Sequence, residues 1–260
     1  MSGTTSAPGT LISAGEATFA RRVRAATVPV VVAFRAPHCD ACRALLGSVA
    51  RLAEQYAGRL VVLSVDVDRA PLVAEQYGVA AVPALLVLQD GDPLTWMVGY
   101  APEPLLRLLF DQVVAGDLIP GMLWSPTEQV FEDYVIVPLL DAWGWAYQRQ
   151  VGCRIRTSTS TSHGRVDILV YADGTTEPLT LFEAKRQIAS NAALQQAMTQ
   201  ARGYAQALGL ASFVVAAPAG LWIYRLRGEK EGLMQAFSGL DVATRPEAVK
   251  RALCWIHEAR

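Results

Sequence analysis

The cysteine pair Cys39 and Cys42 limits the possible folds of this chain more than any other feature. It follows the continuous apolar run of residues 28–34, which is typical of a strand buried on both faces. A helix is predicted directly after it, over residues 42–56. The pair therefore lies where a buried strand ends and a helix begins. The unpaired N–H groups and the dipole at a helix start lower the pKa of a thiol, so we expect Cys39 to attack and Cys42 to resolve.

Two other interpretations of the cysteine pair lack support from the rest of the sequence. A zinc site needs four ligands, and His38 is the only further candidate nearby. Two core cysteines would not require a position at a strand-to-helix junction. The chain start lacks the pattern typical of a signal peptide, so we expect a cytoplasmic protein in which the pair is redox-active. Because no apolar run reaches the roughly eighteen residues that span a bilayer, we expect no membrane partner.

The pattern around the cysteines continues as alternating strands and helices over residues 15–117. This order predicts an α/β sandwich with mixed strand pairing. Residues 36–42 and the dipeptide Val82-Pro83 resemble the active-site stretch and the cis-proline loop of thioredoxin. The resemblance implies a thioredoxin-like fold with a redox-active disulfide, in which Pro83 faces the two sulfurs.

The sequence departs from the thioredoxin pattern between the cysteines, where Asp40-Ala41 replaces Gly-Pro, and at two positions of the strand before them. Thioredoxins carry a buried acid on the strand before the active site, and Ala33 occupies that position here. Arg35 replaces their tryptophan. Since the acid accepts a proton during resolution, its absence implies slow disulfide turnover. We therefore expect a redox or partner-binding module that contacts another protein or a second copy of this chain.

Residues 118–126 are predicted to link two domains, because glycine, proline and serine are frequent there. With 260 residues, of which 52% are hydrophobic, the chain is long enough for two ordinary cores. We expect a flexible tail at 1–14, the first domain at 15–117 and a second domain at 127–260. The formal charge of -1 gives no global basic field, so contact with DNA would need a local patch.

In the second domain, Asp167, Glu183 and Lys185 form a candidate catalytic group. Glu183 and Lys185 are two positions apart on a predicted strand, so their side chains point to the same face. If Asp167 lies opposite them, two carboxylates and an ammonium group converge. Carboxylates can hold Mg²⁺, which polarises a phosphodiester and activates water, while a lysine orients the nucleophile. The alternative is a salt-bridge cluster on the surface of a hairpin.

The order of motifs around these residues resembles the PD-(D/E)xK nuclease superfamily, above all the N-terminal nuclease domain of type I restriction enzyme R subunits. The resemblance covers residues 124–226. It implies a restriction-endonuclease-like α/β domain with a central mixed sheet, which cleaves DNA with Mg²⁺ or Mn²⁺. It also implies that Asp167 and Glu183 bind the metal ion and that Lys185 is catalytic.

By the same resemblance, Glu128 completes the acidic cluster as a further catalytic residue and metal ligand. The sequence also offers a structural alternative, because residues 125–128 (Ser-Pro-Thr-Glu) are typical of a capping box. Gln200 and Tyr204 match the Gln-xxx-Tyr motif and are expected to support catalysis or DNA contact. Their spacing also fits a solvated polar stripe along one helix face.

Three functions remain open from the sequence. The first is a DNA endonuclease or nickase of bacterial restriction or defence, in which the first domain is a redox or partner module that regulates the second. The second is a thiol-disulfide oxidoreductase whose C-terminal domain binds nucleic acid without catalysis. In the third, both domains are scaffolds of a nucleic-acid-processing assembly. The intact group Asp167, Glu183 and Lys185 favours the first function, and Ala33 counts against the second.

Overall fold

The computed structural model of the chain describes residues 9–118, 120–156, 161–171, 175–188, 190–228 and 230–258. Internal contacts divide the chain into two compact units, Met1–Ser125 and Pro126–Arg260. Among the described helices, none is long and apolar enough to cross a membrane.

The first unit is a mixed sheet covered by helices. The elements are β1 Ile12–Ser13, α1 Glu16–Ala25, β2 Val30–Arg35, α2 Asp40–Gln55, β3 Val61–Asp66, α3 Pro71–Gln76, β4 Ala84–Gln89, β5 Asp92–Val98, α4 Glu103–Ala115 and β6 Met122–Leu123. The strand order in the sheet is β1-β3-β2-β4-β5-β6, and β2 runs parallel to β3 and antiparallel to β4. This arrangement confirms the predicted mixed α/β fold of the first domain.

Strand β2 lies between β3 and β4 and is buried on both faces, as its unbroken apolar run predicts. On one face, Val32 and Phe34 pack in a core with Phe19 of α1 and Val73 of α3. Because side chains alternate along a strand, Ala33 faces the opposite side of the sheet. The first turn of α2, which carries the second cysteine, follows directly from the end of this strand.

The structure corrects two predicted boundaries of the first domain. Ile12 and Ser13, expected in the flexible tail 1–14, form β1 and pair in parallel with β3. Residues 122–123 of the expected linker 118–126 form β6 and pair in parallel with β5. Strands of two residues are too short for apolar periodicity to indicate them. Residues 1–8 of the tail lie outside the described residues.

The second unit has a central mixed sheet. The elements are α5 Glu128–Phe131, a π-helical segment Glu132–Ile136, α6 Val137–Trp143, β7 Tyr147–Arg156, β8 Thr161–Tyr171, β9 Pro178–Ala184, α7 Asn191–Ala207, β10 Ser212–Ala217, β11 Gly220–Arg227, β12 Lys230–Ser238, α8 Gly239–Thr244 and α9 Pro246–Glu258. The strand order in the sheet is β12-β11-β10-β9-β8-β7. Strands β9 and β10 are parallel, and helix α7 makes the crossover between them. The domain is therefore α/β with a mixed sheet, as predicted, while its relationship to restriction endonucleases stays a prediction.

Candidate functional site

Cys39 and Cys42 form a disulfide at the start of α2, with their Cα atoms 5.1 Å apart. Cys39 is the N-cap of the helix, and its sulfur accepts a hydrogen bond from the backbone N–H of Cys42 at 3.0 Å. Cys42 is buried, whereas Cys39 is partly exposed. Cys39 is thus the sulfur that an external thiol or disulfide can reach.

The loop before β4 faces this disulfide. The peptide bond between Val82 and Pro83 is cis, and Pro83 is buried. The carbonyl oxygen of Val82 lies 4.0 Å from the sulfur of Cys39. The structure therefore brings together the three residues that the sequence assigned to the redox site, Cys39, Cys42 and Pro83.

Ala33 and Arg35, which depart from the thioredoxin pattern, lie two positions apart on β2. Ala33 is fully buried and pairs with Ser64 of β3. Arg35 forms an ion pair with Asp66, with Nη1 and Oδ2 3.0 Å apart, and its Nε donates to the hydroxyl of Ser64 at 3.3 Å. The guanidinium charge is therefore neutralised locally, and the methyl group of Ala33 offers no proton acceptor.

Comparisons with known proteins identify the first domain. Residues 10–110 match the family model of thioredoxin. Thioredoxin 1 of Synechococcus elongatus is 36% identical over 97 residues, which are 37% of this chain and 91% of that protein. Thioredoxin 1 of Nostoc sp. is 37% identical over 91 residues, 35% of this chain and 85% of that protein. A solved mutant thioredoxin from Halobacterium salinarum NRC-1 is 30% identical, covering 42% of this chain and 96% of that one, with a TM-score of 0.39.

Through this domain the chain belongs to the thioredoxin family. The Cys39–Cys42 disulfide of the structure is the feature that makes the domain a redox module.

In the second domain, the β8–β9 pair brings the three predicted catalytic residues together. Ile168 pairs with Phe182, so the next residues along the antiparallel register, Asp167 and Glu183, lie opposite each other. One carboxylate oxygen of Asp167, Oδ2, accepts the backbone N–H of Ala184 at 2.8 Å. The ammonium group of Lys185 donates to Oε1 of Glu183 at 2.6 Å.

The electrostatics of these side chains follow from their burial. Glu183 is only 1% exposed, and burial together with the charge of Asp167 raises its pKa to about 7, although Lys185 opposes the shift. Burial also raises the pKa of Asp167, against the N–H of Ala184 and the charge of Lys185. Burial lowers the pKa of Lys185, but the neighbouring carboxylates outweigh this and raise it. The cluster therefore favours a bound positive charge.

One carboxylate oxygen shows how a divalent cation would fit. Oε2 of Glu183 is buried and has no hydrogen-bond partner in the described part of the chain. Within the same part, no group of three or more His, Cys, Asp or Glu side chains could hold a metal ion. Mg²⁺ commonly binds through one or two carboxylates together with water and substrate phosphates. Glu183 and Asp167 are two carboxylates of this kind, and their role as metal ligands stays a prediction.

Glu128 lies near this cluster, and the capping-box interpretation of residues 125–128 is wrong. Thr127 is the N-cap of α5, because its hydroxyl accepts the backbone N–H of Val130 at 3.2 Å. Glu128 is then the first helical residue rather than the third, and its side chain is exposed. Its charge contributes to the raised pKa of both Asp167 and Glu183. Its role as a metal ligand stays a prediction.

Gln200 and Tyr204 contact each other on α7, where the Nε2 of Gln200 donates to the hydroxyl of Tyr204 at 3.2 Å. Tyr204 is buried in the core beneath α7, so it is not part of a solvated stripe. A Cβ atom built on Gly164 would lie 2.3 Å from its ring. The motif thus packs α7 against β8 three residues before Asp167, and its role in catalysis stays a prediction.

The structure adds three residues that the sequence analysis did not single out. Glu132 is 2% exposed and forms an ion pair with Arg149, with Oε2 and Nη2 2.8 Å apart. Burial raises the pKa of Glu132, and the charge of Asp167 adds to the rise. The side chain of Gln150 acts against the rise in the pKa of Asp167, so it lies within reach of that carboxyl group. Glu132 lies one helical turn after Glu128, a spacing that could have indicated it.

Proposed function

We propose that the second domain cleaves or nicks DNA by metal-dependent phosphodiester hydrolysis. The observation that carries the proposal is the buried Glu183, with one oxygen paired to Lys185 and the other without a partner, opposite Asp167. A buried carboxylate oxygen without a partner is costly, and a cation offsets that cost. The resemblance to PD-(D/E)xK nucleases agrees with this chemistry.

In this proposal each residue has a distinct task. Asp167 and Glu183 would hold Mg²⁺ or Mn²⁺, and Glu128 would add negative charge at the edge of the cluster. An ion held there would polarise the phosphate and lower the pKa of a bound water. Lys185 holds a positive charge beside Glu183, where it can orient the nucleophile or stabilise developing negative charge. DNA is the partner, and restriction or defence in the bacterial cytoplasm is the setting that the resemblance supports.

The test is incubation of the purified protein with plasmid and linear DNA, with Mg²⁺, Mn²⁺ or a chelator. We expect cleavage or nicking only with metal ion, and a loss of at least 100-fold in Lys185→Ala, a size typical of removing an electrostatic catalytic group. Lys230→Ala removes an exposed lysine of β12 and serves as the matched control. Full activity of Lys185→Ala, or cleavage that continues in chelator, would rule out the proposal.

A second function has its own support, because the Cys39–Cys42 disulfide places a redox module in the same chain. In this alternative the protein is a thiol-disulfide oxidoreductase, and its second domain binds nucleic acid without cleaving it. Insulin reduction measured beside DNA cleavage separates the two. Fast disulfide turnover with no cleavage in any metal ion would favour the alternative.

A further inference from the structure

Gln150 has a backbone conformation that is unusual for its place in the fold. It lies inside strand β7 and has a φ of 54°. Within the described part of the chain, Asp90 is the only other non-glycine residue with positive φ, also 54°, and it lies in the turn between β4 and β5. Aspartate tolerates this region in turns, whereas a glutamine in the middle of a strand has no such local reason.

The unusual conformation coincides with a change of faces in β7. Arg149 pairs with Ile168 and Val151 pairs with Val166, so Gln150 lies opposite Asp167. In a regular strand, residues 149 and 151 would face the same side. Here Val151 packs in the core beneath α7, as does Val166.

Arg149 faces the other side of the sheet. Leu169 belongs to the core beneath α7, so its neighbour Ile168, and with it Arg149, points away from that core. There Arg149 reaches Glu132 of the π-helical segment. By the same alternation Val166 and Ile168 would share a face, so β7 and β8 change faces together, at Gln150 and at Asp167, the candidate metal ligand opposite it.

Two neighbouring strands approach the carboxyl group of Asp167, and Gln150 does so from β7. Oδ2 of Asp167 accepts the N–H of Ala184, which belongs to β9. From β7, the side chain of Gln150 reaches the same carboxyl group and acts against the rise of its pKa. Gln150 is itself exposed, so burial in the core does not explain why a glutamine adopts this conformation.

We propose that Gln150 is a positioning residue, whose left-handed backbone aims its amide at Asp167 and fixes that carboxylate for metal binding. The inference rests on the proposed function, because it assigns a task at the same site. Residues that hydrogen-bond a metal ligand typically contribute about 10- to 100-fold to metal affinity or activity. A merely structural role would require only the backbone conformation, not the amide.

Gln150→Gly separates these two roles, because glycine adopts positive φ without strain and lacks the amide. We expect the variant to keep a cooperative melting transition near that of the wild type, because the relieved backbone strain offsets the lost contact with Asp167 and the greater chain entropy of glycine. We also expect the Kd for Mn²⁺, measured by calorimetry without DNA, to weaken about 10- to 100-fold, and kcat to fall while KM for DNA stays unchanged. An unchanged Kd in the folded variant would overturn the inference.

Two further variants serve as controls. Asp90→Gly relieves the same φ in the first domain and should leave Mn²⁺ binding unchanged. Gln150→Asn keeps a carboxamide on a residue that tolerates left-handed backbone, and should bind Mn²⁺ within about tenfold of wild type. An Asn variant that binds no better than the Gly variant would overturn the role of the amide. Absence of Mn²⁺ binding by the wild type would reject the proposed function itself, and this inference with it.

Discussion

Glu183 shows how strongly the properties of a residue depend on its surroundings. Its pKa of about 7 in the folded, metal-free protein exceeds the ordinary 4.5 because of burial and the charge of Asp167. The folded state therefore binds a proton that the unfolded state releases between these two values. This contribution to stability is fully present below pH 4.5 and is lost as the pH rises through about 7.

We predict that the metal-free second domain loses stability relative to its Glu183→Gln variant as the pH rises from 5 to 8. The amide of the variant does not titrate, so the variant lacks the pH-dependent contribution of Glu183 to stability. Calorimetric melting of both proteins measures the difference, and Mn²⁺ added at pH 8 should stabilise only the wild type. Identical pH profiles for the two proteins would show that Glu183 titrates normally.

Ala33 is the residue that most directly limits the redox site. It is fully buried, and it occupies the position of the acid that accepts a proton in thioredoxins. We predict that Ala33→Asp accelerates insulin reduction by at least about tenfold. A well-positioned proton acceptor contributes about 100-fold or more, and an introduced carboxylate is expected to recover part of that effect. The variant should be less stable, because it buries a carboxyl group. Ala33→Asn, similar in size but unable to take up the proton, is the control, and equal rates for both variants would contradict the prediction.

At the scale of elements, the contact between α7 and β8 depends on one missing side chain. A Cβ atom on Gly164 would lie 2.3 Å from Cε1 of Tyr204, closer than real Cβ contacts. We predict that Gly164→Ala destabilises the second domain by about 1–3 kcal/mol, as overpacking typically does. Gly152 on β7 has no heavy atom within 4 Å of such a Cβ, so Gly152→Ala is the matched control. Urea unfolding checks both, and equal stabilities would show that the ring moves freely aside.

Sequence patterns predicted those elements that carry a strong local signal. Apolar runs predicted β2 and β9, because both strands are buried over nearly their whole length. They did not predict β12, whose residues are mostly exposed. The sequence pattern of residues 127–143 favours a single helix, but the structure has a π-helical segment in its middle, whose buried Glu132 pairs with an arginine 17 residues away. Such pairing depends on the tertiary fold.

In the candidate sites, too, the residues that local rules indicate were predicted and those that depend on the tertiary fold were not. The sequence predicted Asp167, Glu183 and Lys185 as a group because strand alternation and pairing are local rules, and the structure brings them together. Gln150 had no sequence signal, since its left-handed backbone belongs to no turn motif. The sequence offers two interpretations of Glu128; the hydrogen bond of Thr127 identifies the N-cap and removes the capping box, but it does not test the role of Glu128 as a metal ligand.

At the scale of the whole molecule, a redox site and a carboxylate cluster occupy separate compact units of one chain. We predict that oxidation state regulates the proposed DNA cleavage, with rates that differ at least tenfold between reduced and oxidised protein. Such an effect needs only about 1.4 kcal/mol of coupling. Cys39→Ser and Cys42→Ser should remove the redox dependence, whereas Cys254→Ser leaves the disulfide intact and should retain it. Cleavage indifferent to redox state in all four proteins would mean that the two activities are independent.

The two-residue strands β1 and β6 border the sheet of the first domain on both sides. Without them, β3 and β5 would present rows of unpaired backbone groups, which act as templates for strand pairing between molecules. A recombinant fragment that ends at residue 117 loses β6, and with it the bond from the N–H of Trp124 to the carbonyl of Trp96. Light scattering of two fragments should therefore show a monomer for residues 9–125 and self-association for residues 9–117. We therefore expect β6 to close the edge of its own sheet against pairing with other molecules.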